Sequence, residues 1–439
     1  MKRLLLSLAA MPLILGGMSV CASADDGINV LNNVKFSGEI RPRYENADVQ
    51  SDGKQVANAF TTRTTVGVGA DLLEINGLSA YLEGTSVNNF GATDYDAKGT
   101  GINSNPTYDV IKDPQQARIT QAYLDYKINK TLIRAGRQTV NLDNQRFIGS
   151  VDWRQMPQTF DAVAVVDNTI ENLSLLGAYV YGINGVGEQQ ASTDTASVLL
   201  HGAYKVDDML TVTAYDYMLA SLHDTYGAAL TGKIDAGVAK FDYRAEAARQ
   251  DDASLQVHDQ KGVAPFIVAG TNGKPQADAH YYNLDLGANI SGFLAGLNYE
   301  YLSGSNGHDG KTAFQTPLAT LHAFNGWADV FLGATPTGGL IDQNVRLGYE
   351  DKTYGKILAV YHKFDACEDM TAKTIGTSKD LGSEFDVSYG NKIPGVKNLT
   401  GLIKGAMYKG GDVKTVGTTY NQNDKNVVWL QLDYKFATK

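Results

Sequence analysis

From Gln121 to Ile128 the chain reads QAYLDYKI, and the residues alternate without a break. Gln121, Tyr123, Asp125 and Lys127 fall on one side; Ala122, Leu124, Tyr126 and Ile128 fall on the other. Period two is the signature of a strand, because successive side chains leave a pleated strand on opposite faces. The polar pair Asn129-Lys130 follows, and a second alternating run opens at Thr131. Two such runs around a tight turn form an antiparallel hairpin. The apolar side then has two places to go. It faces a dry core between stacked sheets, or it faces hydrocarbon outside a closed barrel whose charges border a wet interior.

The same pattern returns along the whole chain. Val34, Phe36, Ile40 and Tyr44 oppose Lys35, Glu39, Arg41, Arg43 and Glu45; Val66 and Val68 oppose Arg63, Thr65 and Asp71. Leu284, Leu286 and Ile290 oppose Asp285 and Asn289, and Leu430, Leu432 and Tyr434 oppose Gln431 and Asp433. Phe160, Ala162, Ala164 and Val166 share a face opposite Asp161. About 18 such runs fit, with 16 as the alternative, each near the roughly 9–11 residues a tilted strand needs to cross a bilayer. Links alternate between tight (75–77, 129–130, 206–208, 291–292) and long and polar (88–116, 184–196, 250–277, 303–340, 410–426). Short turns at one end and long loops at the other are barrel habits. Tyr44, Tyr126, Tyr179, Tyr181, Tyr299, Tyr301, Tyr408 and Tyr434 sit near run ends, where an interfacial girdle wants amphipathic rings. The expected fold is all-β, a transmembrane antiparallel β-barrel with short periplasmic turns and long extracellular loops, occupying residues 25–439 as one domain.

The amino terminus supports export. Lys2-Arg3 precedes an apolar run from Leu4 to Val20 that ends in Ala22-Ser23-Ala24. That is the form of a cleavable secretory signal over 1–24. Its removal takes away two cations and no acid, so the remainder is more acidic than the whole chain's −10. It also takes Cys21 and leaves Cys367 as a single thiol, unable to form an internal disulfide. Beyond the leader no apolar run is long enough for a membrane helix. The seven histidines are scattered, and no nucleophile, metal-ligand or cofactor motif stands out, so neither catalysis nor a cofactor or metal is expected. Nothing points to nucleic acid. The Asp/Asn-rich stretches at 94–113 and 303–310 match no cation loop and read as solvated loops.

Three segments carry a resemblance. IRAGRQTVNLDNQRFIGSVDWRQMPQTFDAVAV (133–165) contains Gly136-Arg137-Gln138, Arg146, Gly149, Trp153-Arg154 and Phe160-Asp161-Ala162. Residues 316–349 contain His322, Gly326, Asp329, Gly339, Leu340 and Asp342, and 381–411 opens Leu381-Gly382 with Glu384 and Asp386 following. In order and spacing these resemble the alginate export family of outer-membrane porins. The resemblance implies an 18-stranded barrel with inward loops, in the outer membrane of a Gram-negative bacterium. It differs in two respects: the residues placed in the lumen mix both signs rather than forming a strongly cationic constriction, and the aromatic Phe436 is followed by Ala437-Thr438-Lys439.

Candidate pore-lining and selectivity residues are Glu39, Arg41, Arg43, Arg63, Asp125, Lys127, Arg134, Arg137, Arg146, Arg154 and Asp161. Arg137, Arg146 and Arg154 in particular could form a basic ladder for anions, since guanidinium stays charged and grips carboxylates bidentately. The alternative is that they pair with Asp143, Asp152 or Asp161 and hold a loop to the wall. The loop with His322, Trp327 and Asp329 is too apolar for a solvated surface (Leu318, Leu321, Phe324, Phe331) and is expected to fold inward as a constriction or plug. These residues lead to a passive channel for hydrophilic, charged small solutes, in contact with outer-membrane lipid and of open oligomeric state. One alternative is a dedicated exporter of an anionic polysaccharide working with periplasmic partners. Another is a secreted β-rich adhesin or surface protein.

Overall fold

A strand can satisfy its backbone groups only by pairing on both sides, and in the computed structural model every long run does so. The structure describes residues 29–97, 105–187, 192–256, 276–305, 311–332, 335–374, 376–414 and 423–438. The leader expected over 1–24 lies outside them, as do parts of the 94–113 and 303–310 stretches. The strands are β1 (Leu31–Val49), β2 (Ala57–Leu72), β3 (Leu78–Asn88), β4 (Gln116–Ile128), β5 (Thr131–Gln138) and β6 (Thr159–Asp167). They continue as β7 (Leu173–Asn184), β8 (Ser192–Lys205), β9 (Thr211–Leu219), β10 (His223–Asp235), β11 (Ala239–Asp251), β12 (Gln276–Ile290) and β13 (Phe293–Leu302). After the two-residue β14 (Lys311–Thr312) come β15 (Leu340–Asp351), β16 (Gly355–Thr371), β17 (Thr377–Lys392), β18 (Leu399–Gly410) and β19 (Lys425–Ala437).

β14 pairs in parallel with β12 and stands apart, while β13 pairs directly with β15. All other neighbours run antiparallel, and β1 pairs with β19 as well as with β2. The sheet therefore closes as an 18-stranded barrel. Closure removes the two unpaired edges that an open sheet would keep. Among the described residues the one helical element is the 3-10 turn Leu321–Ala323. The tight links at 75–77, 129–130, 206–208 and 291–292 lie at one rim, which we call the turn rim. The long connections (89–115, 139–158, 303–339) lie at the other, the loop rim.

Orientation follows the alternation. Leu124, Leu284 and Leu430 are 51, 48 and 46% exposed on the outer wall, whereas Arg41, Arg43 and Arg63 are 5, 0 and 3% exposed inside. An apolar exterior around a charged interior is the arrangement of a membrane-spanning barrel and the reverse of a soluble sandwich. Two local expectations are corrected. Tyr408 points inward and is buried, so it belongs to no outer girdle. In β6 the outer wall is formed by exposed Val163 and Val165, while Phe160, Ala162 and Ala164 are buried inside. Both faces of β6 are apolar because the lumen beside it is filled, so the pattern alone could not fix its parity.

Replacing Leu124 with Arg should cost about 2–4 kcal/mol of barrel stability in bilayers, against under about 1 for Gln121→Arg on the lumen side. Urea unfolding in vesicles reads both, and equal costs would contradict the assignment of faces.

Candidate functional site: a loop-bound waist in the lumen

Charged side chains on the inner wall are buried against connections that fold into the barrel, two of which meet in the lumen. One joins β5 to β6 (139–158); the other joins β13 to β15 (303–339). They bond to each other: Gly149 N–H donates to the Leu318 carbonyl at 2.8 Å, and Thr320 N–H donates to the Gln145 carbonyl at 3.0 Å. Val151 N–H donates to Thr320 Oγ1 at 3.1 Å. Gly149 is required where the loops touch, since a Cβ there would stand 2.4 Å from Thr320 Oγ1. Gly326 has φ +84°, and a Cβ would stand 2.5 Å from Glu384 Oε2 on the wall. The apolar residues that looked odd for a surface loop find their partners here. Phe147 packs edge-on to Tyr281, with ring centroids 5.2 Å apart, and Phe331 meets Phe364 at 4.9 Å.

Ion pairs then tie the loops to the wall. On the β1–β2 side, Arg63 donates to Asp152 Oδ1 at 2.7 Å and to both Glu39 oxygens at 2.8 Å. Arg41 donates to the Asp152 carbonyl at 2.8 Å and pairs with Asp433 at 3.1 Å. Arg43 donates to the Trp153 carbonyl and to Gln431 Oε1. Arg154, from the β5–β6 loop, bridges Glu45 on β1 at 3.1 Å and Asp329 in the β13–β15 loop at 2.9 Å. Arg146 crosses to the opposite wall and holds Glu300 on β13 at 2.7 Å, while its Nη2 donates to Asn325 Oδ1 at 3.0 Å. Buried acids (Asp342, Glu384, Asp386) extend that opposite wall on β15 and β17. Burial alone would strip charge from Arg154, but Glu45, Asp113 and Asp329 outweigh it and hold its guanidinium firmly protonated.

His322, Trp327 and Asp329 gather at the same level. Asp329 Oδ1 lies 2.7 Å from His322 Nδ1, and Lys404 Nζ on β18 donates to His322 Nε2 at 2.7 Å. Burial pushes the His322 imidazole down to about 3, so it is neutral, with Nδ1 protonated toward Asp329. Burial would raise the Asp329 carboxyl, but His322 and Arg154 outweigh it and hold it well below the usual carboxylate range.

Toward the turn rim the lumen is wetter. Arg134 and Asp125 form a half-exposed bidentate pair at 2.7 Å, and Lys127 is exposed below it. Arg137, expected in the basic ladder, and Asp161, expected to line the pore, do neither. They pair at 2.7 Å with each other on the outer wall, Arg137 opposite Ala122 in register and also donating to the Ile119 carbonyl. The parity of β5 and β6 puts them outside, beside exposed Val163. The β3–β4 connection (89–115) also departs from expectation: Asp96, Asp109 and Asp113 are buried rather than solvated, and Asp113 accepts from Gln155 N–H at 2.8 Å. Sequence reasoning missed Asp113, Glu300 and Lys404 as members of the waist, because their partners are remote in sequence.

Comparison with known proteins bears on the architecture. The alginate export family model matches residues 51–173, which run from before β2 to the start of β7 and include Arg146 and Arg154. Acinetobacter baumannii OccAB3 is similar at TM-score 0.70 and 18% identity, covering 92% of this chain and 100% of that one. The outer membrane protein opdK from Pseudomonas aeruginosa is similar at TM-score 0.67 and 12% identity, over 92% and 99% of the two chains. The fold is that of outer-membrane porins. A structure of Pseudomonas aeruginosa OpdK with vanillate has TM-score 0.68 and 13% identity, over 93% and 100%. No curated protein matches the sequence.

A free histidine gains its proton near pH 6.5, whereas docked His322 does so only near 3. Its contribution to docking is therefore complete above that upper value and declines as pH falls through the window; low-lying Asp329 acts in the same direction at more acid pH. The near-ultraviolet circular dichroism of Trp153, whose ring stacks on His322 with centroids 4.2 Å apart, should weaken between those limits while the far-ultraviolet strand signal persists. A near-ultraviolet signal that is flat across the window would contradict the neutral, docked His322.

Proposed function

We propose that the chain is a porin of a Gram-negative outer membrane, a passive channel for hydrophilic, charged small solutes. The observation that carries this reading is the pairing of faces: an apolar outer wall around a waist of ionised side chains, where Arg41, Arg43, Arg63 and Arg154 meet Glu39, Glu45, Asp152 and Asp329. A closed barrel with that exterior fits lipid and does not fit a secreted adhesin. The turn rim is then periplasmic and the loop rim extracellular. Guanidinium groups around the waist favour carboxylate-bearing solutes, because a planar fork matches a carboxylate. OpdK with vanillate, a carboxylate, supports the same solute class. Diffusion through such a waist needs no cofactor.

A polysaccharide exporter is the second reading, favoured by the family match over 51–173. A polymer needs an unobstructed bore and periplasmic partners to deliver it. Two loops tied to each other and to opposite walls by buried ion pairs favour small solutes instead.

Purified protein in planar bilayers should give ohmic steps, and Arg63→Ala should shift the anion/cation permeability ratio toward cations by roughly twofold or more. Arg137→Ala, on the outer wall, should leave the ratio unchanged. A ratio that moves with Arg137 and not with Arg63 would refute the waist. Liposome swelling should admit small sugars and uronates and exclude oligouronides; free passage of the oligomers would favour the exporter.

A further inference from the structure

The chain has three tryptophans, and all of them converge on one ammonium group. Lys404 stands on the lumen face of β18, buried. Its Nζ lies 3.8 Å from the ring centroid of Trp327, 4.4 Å from that of Trp153 and 5.7 Å from that of Trp429. These rings come from three places: Trp153 from the β5–β6 loop, Trp327 from the β13–β15 loop, and Trp429 from β19. β18 and β19 pair with Lys404 directly opposite Trp429, so the wall itself fixes one side of the cage. His322 completes it. Its ring stacks on Trp153 with centroids 4.2 Å apart and planes 2° from parallel, stands edge-on to Trp429, and accepts a hydrogen bond from Lys404 Nζ at Nε2. The Arg43 guanidinium lies 4.2 Å from the Trp153 centroid.

A buried ammonium must recover the solvation it has lost, and aromatic faces supply part of it through their quadrupoles. One cation thereby contacts both inward loops and the wall at once. We propose that Lys404 is a positioning residue for the constriction: caged by Trp153, Trp327 and Trp429, it holds both loops against the β18–β19 wall and so sets the bore. The proposal deepens the channel reading and rests on it. The charge is the operative feature. A neutral chain of similar length still largely fills the cage, but it gives the ring faces no cation and His322 Nε2 no donor. Without that tie neither loop is anchored to β18; the β13–β15 loop keeps its bonds to Glu384 and Asp386 on β17 and the β5–β6 loop its ion pairs to β1 and β2, and the waist loosens on the β18 side.

The test compares Lys404→Met with Lys404→Arg in the full-length protein, read by single-channel conductance and by acrylamide quenching of tryptophan emission. Heat-modifiable gel migration serves as the check on barrel assembly. Lys404→Met should raise conductance about twofold and increase quenching of the loop tryptophans, with migration unchanged, while Lys404→Arg stays near the parent on both readouts. An assembled Met variant with parental conductance and quenching would overturn the proposal, as would an Arg variant that opens as far as Met. Should the Met variant fail to assemble, Trp327→Leu removes the cage from the loop side and is expected to raise conductance likewise; parental conductance there overturns the proposal too. A parent protein without conductance would remove the channel reading, yet the quenching comparison still decides whether Lys404 holds the loops.

Discussion

Everything in this molecule depends on one constraint. In hydrocarbon a backbone N–H or C=O finds no water, so each must be paired within the protein, and among sheets only a closed one achieves that. The β1–β19 pairing meets the condition by joining the first and last described strands. Once the sheet is closed, alternation does the remaining sorting: every second residue meets lipid and every other one meets the lumen. Ile40 and Tyr44 therefore stand outside while Arg41, Arg43 and Glu45 stand inside, from one uninterrupted strand.

A barrel of this circumference left unfilled would be a wide water-filled tube. The inward loops change that by bringing their own charges and aromatic rings to those of the wall. Buried ions are costly unless paired, and breaking one pair leaves a charge stranded at about 3–5 kcal/mol. Arg154 between Glu45 and Asp329, and Arg146 between Glu300 and Asn325, are therefore rigid struts rather than loose surface pairs. The struts run from one loop to both walls and to the other loop. The same groups that fix the loop positions set the electrostatic character of the passage, so selectivity and bore are coupled in this design.

Much of this was legible in the sequence. Strict alternation at Gln121–Ile128 gave the strand, its two faces and the hairpin, and the apolar make-up of 316–332 marked a loop that had to pack on something. His322, Trp327 and Asp329 were singled out on that ground and lie in the waist. The reading failed where both faces of a strand are apolar. Val163 and Val165 face out and Phe160, Ala162 and Ala164 face in, so period two alone could not place Asp161; Arg134 and Arg137, three positions apart on β5, fall on opposite faces, and Arg137 pairs with Asp161 outside. Partner choice was also out of reach, since Arg146 and Glu300 lie 154 positions apart. Lys404 carried no mark in the sequence, because a three-element cage leaves no local pattern.

The most direct test of the central claim, that the greasy face looks at lipid and the polar face at water, is thiol accessibility at adjacent positions of β13 in native membranes. With Cys367 replaced by Ser, Asn298→Cys should react with a small, membrane-impermeant thiol reagent, whereas Leu297→Cys, one residue away on the outer wall, should be protected. Labelling of Leu297→Cys with protection of Asn298→Cys would contradict the account.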